Sequence, residues 1–162
     1  MIKYDDLIGF RYQEEVHDCF QLMRQYFARL DINIRDYAFP SDWWETSDNL
    51  YLKHYADEGF NAITTDNWKP QLHDVMLVQG SLATPTPTHA GVLCAPNLVL
   101  HHYTGRLSEV TAFKSPWRQP AIVLRHKDVK LPEQPSTELT LAELMPEHVR
   151  AKFEQGLGRK LA

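Results

Sequence analysis

Cys19 and the histidines are the residues of this 162-residue chain whose types and spacing can do chemistry. A thiol works as a nucleophile when an imidazole takes its proton, and that imidazole needs a third polar group to hold its ring. Cys19 follows Asp18, a good N-cap residue, which puts the cysteine in the first turn of a helix. There the unpaired N–H groups and the helix dipole favour a thiolate. Met23 and Tyr26, on the same helical face, lean the sulfur toward packed protein. His89 opens one apolar run and His101 and His102 close the next, with Ala95, Pro96 and Asn97 as the turn between them. Antiparallel pairing through that turn sets His89 beside His101 or His102, and because strand side chains alternate faces only one of the two can point at it. Each of these residues alone reads as a core thiol or a hydrogen-bonded histidine. Together they shift the balance toward a thiol nucleophile served by an imidazole base, with no cofactor. A metal site of His17, Cys19, His89 and His101 is disfavoured, because these residues lack the close helical spacing of zinc motifs.

The elements that must position these groups change in periodicity along the chain. From Asp18 to about Leu30, Phe20, Met23, Tyr26, Phe27 and Leu30 recur at helical spacing. A second helix is predicted from about Asp48 to Asp57, after a Thr46 or Ser47 cap and before Gly59. Thereafter the texture is of short apolar runs: Asn61 to Thr65, Asp74 to Val78, His89 to Cys94, Leu98 to Tyr103, Ser108 to Phe113 and Ala121 to Arg125. The connections are too short for crossover helices, which implies a mostly antiparallel sheet in an α+β fold. The reading divides the chain into a domain at 1–126 and a C-terminal appendage at 127–162, whose terminal helix runs from about Pro146 to Gln155.

Composition narrows the function classes. Hydrophobic residues make up 43% and charged residues 23%, enough for one domain to bury its own core. A formal net charge of -4 argues against a general grip on nucleic acid or anionic lipid. Two cysteines without a close pair form no disulfide framework and no metal knuckle. No window approaches the roughly 20 apolar residues of a membrane span, and the opening residues lack the charged start and apolar run of a secretory signal. Synthesis in a cytoplasm without membrane insertion is therefore expected. Trp43 and Trp44 with Tyr51 and Tyr55 read as packing, Cys94 as buried and inert, and His54, His126 and His148 as solvated.

Ordered blocks then carry a resemblance: Leu7 to Tyr12, His17 to Leu22, Asp74 to Leu77, Thr88 to Val92 and Leu100 to Ser108, closing with Trp117 and Ile122 to Arg125. Over about positions 4 to 126 the chain is similar to the NlpC-type peptidoglycan endopeptidases, papain-like cysteine hydrolases, and in particular to their branch among phage tail proteins. The resemblance implies a papain-like fold with N-terminal helices packed on the sheet. It makes Cys19 the nucleophile and His89 the base, selects His101 over His102 as the third residue, and has Tyr12 and Asp18 line the oxyanion and substrate region. It further implies that a ring N–H of one histidine holds the other. Peptidoglycan stem peptide is then the substrate, other tail-tip proteins are the partners, and the virion tail acting at the bacterial cell wall is the location. A second expectation is a structural tail component that keeps the fold with little or no hydrolysis. The chain departs from the family at Gln13 to His17, where a glycine pair is usual, at Phe20 and Gln21, which replace a Ser-Gly pair, and at His73, which stands in place of a glycine.

Overall fold

A computed structural model describes residues 2–38, 40, 43, 49–80, 86–131, 151 and 155. The chain divides into two units, Met1–Leu131 and Pro132–Ala162, and the second lies almost wholly outside the described residues. So do most of the expected terminal helix, His148, Trp44, Thr46 and Ser47.

The first unit is an α+β domain. A short 3-10 helix, Asp5–Leu7, precedes α1 (Cys19–Ala28) and α2 (Leu50–His54), and six strands follow: β1 (Phe60–Ile63), β2 (Val75–Val78), β3 (His89–Ala95), β4 (Leu98–His101), β5 (Glu109–Ala112) and β6 (Ile122–His126). They form one sheet in the order β1-β6-β2-β3-β4-β5, and every neighbouring pair is antiparallel. All six predicted strands are present, shifted by no more than a few residues at their ends. The second helix is a single short turn rather than the predicted span, and its cap is Asn49, whose side chain accepts from the Leu52 N–H at 3.1 Å. Its chain then turns through Gly59, at φ +84, where a Cβ would meet the His126 ring at 2.9 Å. That close approach explains the glycine.

Strand β3 is buried along almost its whole length, because both faces of the sheet are covered. Ala90, Val92 and Cys94 face the core built with Phe20, Met23, Tyr26 and Phe27 of α1. Leu93 belongs to a second cluster with Met76, Val99, Phe113 and Trp117. Alternation thus assigns the strand's residues to two cores. Gly91 shares the second face: a Cβ there would lie 2.7 Å from the Trp117 ring and from a Val99 methyl. Asp74, at the mouth of β2, is fully buried and accepts from Arg125 at 2.7 and 2.8 Å and from the Trp68 indole at 3.0 Å. This pairing ties β2 to β6 and supplies the partners that a buried carboxylate requires. His126, expected in solvent, is instead buried against Phe60, with its Nε2 2.8 Å from the Glu58 carbonyl oxygen. Local polarity of the sequence misled there, because Gly59 lets the backbone close over the ring.

Inserting even one methyl at Gly91 forces Trp117 or Val99 to move. Gly91→Ala is expected to destabilise the domain by about 1–3 kcal/mol, read as a lower urea midpoint with unchanged slope.

Candidate active site

Asp18 builds the start of the site. One carboxylate oxygen accepts from the Gln21 N–H at 2.8 Å and caps α1, and the other accepts from the Glu15 N–H at 2.8 Å. The same side chain therefore starts the helix at Cys19 and closes the loop before it. In that loop the Gln13 N–H donates to the His17 carbonyl at 3.0 Å, the His17 N–H donates back to the Gln13 carbonyl at 2.6 Å, and Glu15 takes a left-handed φ of 62°. This compact turn occupies the place where the resembled family has its glycine pair.

Cys19, His89, Tyr12 and Asp18 line one cleft of about 480 Å³. Phe20, Tyr37 and Trp43 form part of its wall, Glu14 and Glu15 sit on its rim, and among the described residues no lysine or arginine lines it. The Cys19 sulfur lies 3.3 Å from the Tyr51 hydroxyl of α2, and the Ala90 backbone N–H of β3 is directed at it. Burial pushes the thiol above its ordinary pKa, against the hydrogen bond from Tyr51. The helix N-terminus was expected to favour a thiolate; desolvation outweighs it, and the resting group is a thiol.

His89 sits at the start of β3, 5% exposed, with the Tyr103 ring stacked on it at 3.8 Å and Trp117 at 5.5 Å. Burial, together with His101 and His102, pushes its pKa down to about 3. The ring is neutral at physiological pH and has one nitrogen able to accept a proton. No hydrogen bond joins it to Cys19 among the described residues.

His101 pairs with Gly91 across β3 and β4, so it shares the face of His89, and the two rings meet edge to face at 5.7 Å. It does not line the cleft. Nε2 of His89 and Nδ1 of His101 are both buried without a partner, so the hydrogen bond expected between the two histidines is not formed. Thr111 of β5 takes that bond instead, its hydroxyl lying 2.9 Å from His101 Nε2. Burial lowers the His101 pKa to about 4. His102 turns the other way, toward the cleft, with Nε2 at 3.1 Å from the Arg106 carbonyl oxygen and its ring edge-on to Tyr12 at 5.4 Å.

Sequence reasoning missed Thr111, Tyr103 and Tyr51. Tyr103 was within reach, because it stands two residues after His101 and so on the same face. Tyr51 comes from a separate helix, and no spacing signals its contact.

The fold and the cleft define an α+β domain with a half-buried cysteine and a neutral histidine opening on the same space. No protein-family model matches the sequence. Among curated proteins the chain is similar to tail tip assembly protein K of Escherichia phage N15, with 32% identity over 117 residues, covering 70% of this chain and 46% of that protein. It is also similar to tail tip assembly protein K of Escherichia phage lambda, with 29% identity over 122 residues, covering 75% of this chain and 59% of that protein. The chain spans about half the length of these curated relatives.

Of the four histidines with depressed pKa values among the described residues, His89 and His101 leave the largest mark on stability. Below an unfolded pKa of about 6.5 the unfolded chain binds protons that the folded chain refuses, so stability is greatest above that pH and falls toward pH 4. From pH 7 to pH 5, His89 alone is expected to cost on the order of 2 kcal/mol. Urea denaturation of the wild type and of His89→Gln at both pH values checks this: the variant should lose distinctly less stability on acidification, and equal losses would contradict it.

Proposed function

We propose that the chain is a cysteine peptidase of a phage tail tip, with a papain-like arrangement of α1 against the sheet, acting on the stem peptides of bacterial peptidoglycan. The observation that carries this reading is that Cys19, at the first position of α1, and His89, at the start of β3, open on one cleft. Neutral His89 accepts the Cys19 proton as the sulfur attacks an amide carbonyl, and returns it to the leaving amine. The Cys19 backbone N–H in the first turn of α1 is the natural donor to the oxyanion, and Tyr12 lines the same cleft. Water then hydrolyses the thioester. His101 acts from behind His89, itself anchored by Thr111. Carboxylates on the cleft rim, with no lysine or arginine in the lining among the described residues, suit an amino-bearing peptide. The similarity to two tail tip assembly proteins supports the location in a virion tail and tail-tip proteins as partners.

A second reading is an assembly component without hydrolytic activity. The names of the relatives favour it, as do the resting thiol and the absence, among the described residues, of a Cys19–His89 hydrogen bond.

Mass spectrometry of purified peptidoglycan after incubation with wild type and Cys19→Ala separates the two. New stem-peptide fragments in the wild type alone are expected, and their masses name the bond. No release by either protein, from wall material that a known hydrolase digests, would favour the assembly reading.

A further inference from the structure

Tyr51 has no part in the mechanism so far, yet its hydroxyl makes the one side-chain hydrogen bond of Cys19 among the described residues, at 3.3 Å. The residue is 3% exposed and is held by Phe20, edge to face at 6.0 Å, and by Trp43 at 6.3 Å. Its helix is fixed in turn by Asn49, whose amide donates to the Pro87 carbonyl at 2.6 Å, two residues before His89. The hydroxyl thus cannot swing away from the sulfur without disturbing the core, and α2 is tied to the strand that carries the base.

We propose that Tyr51 is a positioning residue for Cys19: its phenol holds the sulfur between α1 and β3 and donates a hydrogen bond to it as the thiolate forms. The chemistry of the pair sets the direction. A neutral thiol and a phenol can each donate to the other, but a thiolate can only accept, so the bond strengthens when the proton leaves. The phenol stays protonated throughout, because burial and the adjacent Cys19 push its own pKa well up. Other enzymes activate a cysteine with an imidazolium. Here His89 is held neutral, and the Tyr51 O–H with the Ala90 N–H supplies neutral donors in its place.

The inference rests on Cys19 as the nucleophile, but its test needs no peptide. Alkylation of Cys19 by iodoacetamide, followed across pH on the peptide that carries it and so apart from Cys94, reads the thiolate directly. The titratable groups about the sulfur are Asp18 at the same helix end, Tyr12 on the preceding loop, Tyr103 beyond β4 and His89 on β3; all of them remain in a Tyr51 variant. In Tyr51→Phe the midpoint is expected to rise by about one pH unit, a loss of about tenfold in rate at neutral pH. An unmoved midpoint in a variant with the wild-type unfolding curve would overturn the proposal. Should Tyr51→Phe fail to fold, 3-fluorotyrosine at position 51 keeps the shape while making a stronger donor. The midpoint should then fall, and an unmoved midpoint would again overturn it. A shifted midpoint without any peptide hydrolysis would defeat the peptidase reading alone, whereas hydrolysis with an unmoved midpoint would defeat the role of Tyr51 alone.

Discussion

The two hydrogen bonds of the Asp18 carboxylate fix where everything else in the site can be. By capping α1 at Gln21 they make Cys19 the first helical residue, and by holding the Glu15 N–H they fold the preceding loop onto the rim of the cleft. A cap one residue earlier or later would rotate the sulfur by about 100° around the helix, away from β3 and Tyr51. The start of the helix and the placement of the Cys19 sulfur are therefore the same physical event. The buried face of α1 then seats the helix on β3 and β4, which brings the sulfur to the backbone of Ala90, beside His89.

The two groups at the centre of the cleft, Cys19 and His89, rest uncharged. Desolvation raises the thiol and lowers both His89 and His101, so the resting state pairs neutral groups rather than a thiolate with an imidazolium. Under the proposed function a proton has to move during attack, and neutral donors carry the charge that appears on sulfur. The wall of aromatic rings around His89, with Tyr103 stacked on it and Trp117 behind, keeps water from the imidazole and limits its rotation. Gly91 makes room for that wall: on a strand buried on both faces, the missing Cβ is what lets Trp117 approach.

Much of this was legible from residue order. The six strands followed from apolar runs bounded by turn residues, and period-two alternation already required that His89 meet only one of His101 and His102. The helix start followed from a capping aspartate before an apolar repeat. Other features depend on contacts that leave no local trace. The start of α2 is set by Asn49, which caps it and reaches Pro87, the burial of His126 by a glycine far along the chain, and the partner of His101 by a threonine on the next strand. The protonation preference of Cys19 was misjudged because the helix dipole is visible in a sequence while the depth of burial is not.

Whether Cys19 acts as a nucleophile in this cleft is tested most directly by trapping its acyl form. Rapid acid quenching of the protein with a synthetic stem peptide, followed by intact-mass and peptide-mass analysis, should reveal a transient adduct on Cys19 equal in mass to the acyl half of the cleaved peptide. Peptide cleavage that proceeds with no adduct on Cys19 and persists in Cys19→Ala would contradict the assignment.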